Sequence, residues 1–178
     1  GLAKRFNICY TRYADDITFS SDYNVFQEGS EFMQEFTKIV AEQKFQINDK
    51  KTRLQKSGQR QEVTGLLVNK KVNIAKEYYR DLRSLLYIWA RYGQEQAYAK
   101  FIIRYRASKA YKPKKNSMPN MAAVISGKFL YMKMVMGETS STYLTLRDKF
   151  IALCPEQKAV LDTNLNYLAS YRLDEFEA

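Results

Sequence analysis

The order of apolar and polar positions predicts a short β-rich stretch followed by a series of amphipathic helices. Phe6, Ile8 and Tyr10 alternate with Asn7, Cys9 and Thr11, and Ile17 and Phe19 alternate with Thr18 and Ser20. A period of two marks strands with one apolar face, so residues 6–21 are read as a hairpin. Between the two runs lies Tyr13-Ala14-Asp15-Asp16. Acidic residues are poor strand formers, which places both aspartates at the turn. Residues 28–45 carry Phe32, Phe36, Ile39 and Val40 at helical spacing, with Ser30 as a candidate cap. A polar, lysine-rich passage over residues 47–56 ends in a Ser57-Gly58 turn signal. Residues 63–68 are expected to form one strand, Asn69-Lys70-Lys71 a turn, and residues 72–74 a returning strand.

From Lys76 onward the period is helical. Leu82, Leu85, Leu86 and Trp89 fall at i, i+3, i+4 and i+7 and share one face at about 100° per residue. Lys76, Arg80, Arg83, Tyr87 and Arg91 fall within a narrow arc on the opposite face. A second helix is marked by Tyr98, Phe101, Ile102 and Tyr105, and it also carries Arg104. A basic loop over residues 109–119 contains Lys112, Lys114 and Lys115. A third helix is marked by Ile125, Phe129, Met132 and Met136, with Gly137 ending it. A fourth is marked by Tyr143, Leu146, Phe150 and Leu153. Pro155 opens a last one, in which Leu161, Leu165 and Leu168 face inward. These aromatic and methionine positions are read as core rather than as a site. The change of pattern near residue 75 divides the chain into 1–75 and 76–178, and the fold class is α+β.

Composition narrows the chemistry. The chain has no histidine, which excludes a Ser-His-Asp triad and histidine-bound zinc from this segment. Two cysteines, Cys9 and Cys154, are too few for a disulfide framework or a four-cysteine zinc site. The first residues have no apolar signal core, and no window holds eighteen consecutive apolar residues. A reduced, cytoplasmic setting without a membrane span is therefore expected. Chemistry must then rest on carboxylates, lysines, tyrosines or a carboxylate-bound cation, and carboxylates favour hard ions such as magnesium or manganese.

The net charge of +10 is unevenly placed. Residues 76–128 hold 12 basic and 3 acidic residues, whereas residues 129–178 hold 5 basic and 7 acidic. A local excess of that size suits a polyanion, and a face of arginines with a tyrosine among them can track a phosphate backbone. The bland alternative is a solvated basic surface. Charge alone does not separate the two.

Adjacent carboxylates on a tight turn hold two negative charges close together, an arrangement that calls for cations or water. Most Asp-Asp pairs are solvated turns. Here apolar strands flank the pair, and Tyr13 precedes it. Divalent ions bound at such a pair can activate a hydroxyl and stabilise the leaving oxygen of a triphosphate.

The run Tyr10-Thr11-Arg12-Tyr13-Ala14-Asp15-Asp16-Ile17-Thr18-Phe19-Ser20 resembles motif C of the palm of retron-type bacterial reverse transcriptases. Asn48-Asp49-Lys50-Lys51-Thr52 resembles their motif D. Gln61-Glu62-Val63-Thr64-Gly65-Leu66-Leu67-Val68-Asn69 resembles their next block, including its Val-Thr-Gly triplet. Residues 79–86 and Gly127-Lys128-Phe129-Leu130-Tyr131 resemble their thumb. The resemblance covers essentially the whole chain, and three motifs stand in the family's order.

The resemblance implies a palm remnant with a Tyr-Ala-Asp-Asp hairpin, followed by an all-helical thumb. It implies Asp15 as the main metal ligand of this segment, with Asp16 supporting it, and Tyr13 and Ala14 under the primer terminus or incoming nucleotide. Lys51 would approach the triphosphate and protonate the leaving pyrophosphate, with Lys50 a nearby rival; a cationic donor suits that role. Val63, Thr64 and Gly65 would border the primer grip. Lys76, Arg80, Arg83, Tyr87, Arg91, Arg104, Lys112, Lys114 and Lys115 would hold the template–primer duplex. The implied cofactor is magnesium, with manganese as a substitute. The implied partners are a structured noncoding RNA template, its RNA–DNA hybrid, deoxynucleoside triphosphates and an effector protein. The family makes branched, RNA-linked single-stranded DNA (msDNA) in antiphage defence. A palm also needs an earlier aspartate strand, fingers and a nucleotide-selecting motif, none of which precedes motif C here. This segment by itself is therefore expected to be inactive, as a fragment of a longer protein. The competing readings are another defence-associated reverse transcriptase and a non-catalytic RNA-binding scaffold.

Overall fold

A computed structural model describes residues 1–107 and 118–162. The chain falls into two units, residues 1–71 and a unit that begins at Val72. Both helices and small antiparallel sheets are present, an α+β composition.

The first unit contains α1 (Leu2–Arg5), β1 (Cys9–Tyr13), β2 (Asp16–Ser20), α2 (Glu31–Glu42), β3 (Glu62–Val63) and β4 (Leu66–Leu67). β1 and β2 pair antiparallel, with Tyr10 opposite Phe19, Thr11 opposite Thr18 and Tyr13 opposite Asp16. Because side chains alternate along a strand, Tyr10, Arg12, Ile17 and Phe19 share one face, and Thr11, Tyr13, Asp16 and Thr18 share the other. The first face meets α2. The Phe19 ring lies edge-on to Phe32 at 5.0 Å and to Phe36 at 5.1 Å, and Phe6 meets Phe32 at 5.4 Å. Arg5 adds a two-pronged bond to Glu35, at 2.7 and 2.6 Å, which ties α1 to α2. Ser30 caps α2, its hydroxyl accepting from the Met33 amide at 3.3 Å. Only Ile8 and Phe32 are fully buried apolar side chains in residues 1–71. That is a thin core for a unit of this size.

The expected single strand over residues 63–68 is instead a second hairpin. Thr64 and Gly65 form its two-residue turn at φ +48° and +84°, and Val63 pairs with Leu66. Two positive φ values match the twist of tight hairpins, which Gly65 permits without strain. Residues 72–74 do not return as a strand; Asn73 makes only an isolated bridge. Side-chain amides extend the small sheet in its place. Gln55 donates to the Glu62 carbonyl at 2.9 Å and accepts from the Glu62 amide at 2.6 Å. Asn69 accepts from the Gln61 amide at 3.0 Å and donates to the Gln59 carbonyl at 2.6 Å. Polar side chains thus complete backbone pairing that strands would otherwise supply.

The second unit contains α3 (Lys76–Ala107), α4 (Met121–Met136), α5 (Ser141–Leu153), a 3-10 turn (Pro155–Gln157) and α6 (Lys158–Asp162). α3 is two helical segments joined at Gly93, whose φ of +89° and ψ of +170° are not helical. Leu82, Leu86 and Trp89 from the first segment and Ala97 and Phe101 from the second enter one core with Ile125, Phe129, Met132, Tyr143, Leu146 and Phe150. Phe129 and Phe150 stack at 5.4 Å, and Trp89 meets the edge of Phe150 at 6.1 Å. The Asn120 side chain caps α4 by accepting from Ala123, and Gly137 ends that helix at φ +84°. Pro155 opens the 3-10 turn that runs into α6, where Leu161 is buried. Leu165 and Leu168 lie outside the described residues.

Burial in this unit sets its response to alkali. Burial and a hydrogen bond to Glu156 push the Cys154 thiol from an ordinary 9.0 up to about 11. Burial, with Tyr131 nearby, pushes the Tyr78 phenol from 10.0 up to about 12. Both groups keep their protons longer in the folded chain than in the unfolded one. Their contribution is complete below pH 9.0 and is lost as pH rises toward about 12. Burial pulls Lys128 below its ordinary 10.5, so this lysine acts in the opposite sense over the pH range just under that value. The expected result is a net fall in chemical-denaturation stability across this window. Cys154→Ala should flatten its lower part and Tyr78→Phe its upper part.

Candidate functional site

The tip of the first hairpin is built by Ala14 and Asp15 alone. Asp16 is not in the turn, as its acidity had suggested, but opens β2 opposite Tyr13. Pairing with Tyr13 outweighs the poor strand propensity of one aspartate at a strand end. Ala14 adopts φ +51°, a left-handed conformation that costs an L-residue about 1–2 kcal/mol. Arg12 offsets part of this cost, its Nε donating to the Ala14 carbonyl at 2.7 Å. The consequence is directional. Asp15 stands at the turn, and Asp16 lies on the face that does not meet α2, beside Tyr13, whose ring is 71% exposed. Both aspartates are exposed, and neither makes an ion pair among the described residues.

This pair fits a hard divalent cation as a partial donor set. Magnesium is commonly held by one or two carboxylates, with waters and substrate phosphates completing its shell. No cluster of three or more His, Cys, Asp or Glu side chains suited to a metal occurs among the described residues.

Lys51 lies on a turn closed by the Asn48 carbonyl, which accepts from the Lys51 and Thr52 amides at 2.9 Å each and from the Thr52 hydroxyl at 3.0 Å. Lys50 and Lys51 are both exposed there, and neither is paired with Asp15 or Asp16 among the described residues. Val63 is half-buried in β3, and Thr64 and Gly65 present an exposed turn.

In the second unit, Lys76, Arg80, Arg83, Tyr87 and Arg91 are all exposed along the first segment of α3. Arg80, Arg83 and Arg91 make no ion pair among the described residues. The Arg83 guanidinium lies 5.9 Å from the Tyr79 ring. Arg104 differs. Its Nη1 donates to Asp81 Oδ1 at 2.8 Å, so its charge is already engaged. Lys112, Lys114 and Lys115 lie outside the described residues. The periodicity did not single out Lys128, which is half-buried with its ammonium 4.7 Å from the Tyr78 ring. Its place in Gly127-Lys128-Phe129 was the available signal. No described helix is long and apolar enough to cross a membrane.

An exposed carboxylate pair on a hairpin tip and an unpaired arginine face on a helical unit are parts suited to a phosphate-handling protein. Comparison with known proteins finds partial similarity to two enzymes. The chain is 39% identical over 98 residues to the retron Mx65 reverse transcriptase of Myxococcus xanthus, covering 55% of this chain and 22% of that enzyme. It is 37% identical over 76 residues to the retron Mx162 reverse transcriptase of the same organism, covering 38% of this chain and 16% of that enzyme. The matched stretch is thus about a fifth of the length of these relatives. Both similarities are consistent with a portion of a retron reverse transcriptase. No family profile matches the chain. No solved structure matches it.

Proposed function

We propose that this chain is the C-terminal palm and thumb portion of a retron reverse transcriptase, an RNA-directed DNA polymerase. Residues 1–75 would carry motifs C and D and the primer grip, and residues 76–178 would form the thumb. The observation that carries this reading is exposed Asp15 at a hairpin turn with exposed Asp16 opening the next strand, in a chain similar to two such enzymes. In this reading Asp15 and Asp16 hold magnesium, or manganese in its place, and the ion supplies charge neutralisation at the triphosphate. Tyr13 and Ala14 lie beneath the primer end, and Lys51 serves as proton donor to the leaving group. Thr64 and Gly65, on their exposed turn, approach the primer backbone. The face from Lys76 to Arg91 grips the hybrid.

The thin core of residues 1–71 suits a piece that packs against further palm strands. The full protein would copy a structured noncoding RNA into branched, RNA-linked DNA in antiphage defence with an effector partner, in the cytoplasm. Its test is the nucleic acid that co-purifies with the full-length protein. A branched RNA–DNA species is the expected result. An unbranched or protein-primed DNA would point to another defence reverse transcriptase. RNA with no attached DNA, even after supply of deoxynucleotides and magnesium, would point to a scaffold.

A further inference from the structure

Gly93 occupies a backbone region that is essentially closed to residues with a side chain. A Cβ built there would meet nothing within 4 Å, so the demand is conformational rather than a matter of space. The reason lies in the phase of the apolar stripe. The first segment of α3 buries Leu82, Leu86 and Trp89. Continued at about 100° per residue, that stripe would centre on Gly93, Lys100 and Arg104, with Ala97 at its edge and Phe101 beyond it. The second segment instead buries Ala97 and Phe101. The stripe therefore shifts by roughly a fifth of a turn across the break at Gly93.

The same shift keeps Arg104 out of the core and sets it against the first segment. There it meets Asp81, 23 positions earlier, at 2.8 Å. Asp81 directly follows Arg80 and lies two residues before Arg83. A cleft of about 590 Å³ opens along both segments, lined by Ile88 and Tyr92 from the first and Ile103 and Arg104 from the second. On that side the Asp81–Arg104 ion pair spans the two segments.

We propose that Gly93 and the Asp81–Arg104 pair are positioning residues: together they form a braced elbow that fixes the direction of the arginine face, and Arg104 acts through Asp81 rather than on phosphate. The proposal rests on the nucleic-acid reading of that face. It reverses the sign expected from charge alone. Asp81 is a negative charge beside the binding face, so its removal should tighten polyanion binding if Asp81 does nothing else.

The test is the affinity of the full-length protein for an RNA–DNA hybrid, measured over a range of salt. Asp81→Asn and Arg104→Gln should each weaken binding about threefold, the order of an exposed ion pair, and the double variant should be no weaker than either. The swapped pair, Asp81→Arg with Arg104→Asp, should recover affinity. The salt slope should not change. Gly93→Ala should weaken binding by about tenfold or more; if that variant does not fold, the pair variants decide. Tighter or unchanged binding by Asp81→Asn would overturn the proposal, as would a salt slope lowered by about one in Arg104→Gln, the mark of a direct phosphate contact. A wild-type protein without salt-dependent binding would overturn the nucleic-acid reading itself, a different result from a wild type that binds while Asp81→Asn does not weaken it.

Discussion

Replacing Asp15 and Asp16 together by asparagine in the full-length protein is expected to lower deoxynucleotide incorporation by on the order of a thousandfold. The substitution keeps the size of each side chain and removes both charges. Neither aspartate is buried or ion-paired among the described residues, so the fold should change little, within about 0.5 kcal/mol. Hybrid affinity should likewise hold, because the arginine face is untouched. Loss of incorporation with retained binding is the signature of a carboxylate pair that serves chemistry rather than grip. Asp15→Asn alone should account for most of the loss if Asp15 is the main ligand, as the proposed role has it. Incorporation at wild-type rate in the double variant would remove the polymerase reading.

The second large effect belongs to the helix face. Arg80→Gln, Arg83→Gln and Arg91→Gln together should weaken hybrid binding by roughly a hundredfold near physiological salt and lower the slope of log affinity against log salt by about three. Each of these guanidinium groups is exposed and free of ion pairs among the described residues, so each can release a counterion when it meets a phosphate. A control is Lys149→Gln with Lys158→Gln, which removes two exposed positive charges from α5 and α6. A phosphate-tracking face predicts little change in the control. Equal loss in both variants would mean that net charge, not this face, drives binding.

Much of the second unit was legible in the sequence. Leu82, Leu86 and Trp89, then Ile125, Phe129 and Met132, then Tyr143, Leu146 and Phe150 repeat at helical spacing because each helix has one buried face. Helix ends were legible where one residue type decides them, as with Ser30 and Gly137. The small sheets were less so. Val63, Leu66, Leu67 and Val68 read as one apolar strand because hydrophobicity carries no record of φ, and the turn is set by Thr64 and Gly65 at positive φ. The pairing of Gln55 with Glu62 was invisible for a related reason: a side chain does there what a strand would do.

At the candidate site, the hairpin around Asp15 was legible from alternation. That Asp16 belongs to the ladder was not, because strand propensity describes a residue and pairing describes two. Arg104 was read as part of the cationic set from its charge. Its bond to Asp81 spans the Gly93 break, and only the phase shift of the apolar stripe hints at it.

The proposed divalent-ion site at Asp15 and Asp16 can be read out directly. Manganese, which scatters anomalously and substitutes for magnesium, tests it in crystals of the full-length protein bound to template–primer and nucleotide. The expected result is an anomalous peak within about 2.0–2.3 Å of an Asp15 carboxylate oxygen, absent from the Asp15→Asn, Asp16→Asn variant. A manganese peak held elsewhere, undiminished in that variant, would contradict it.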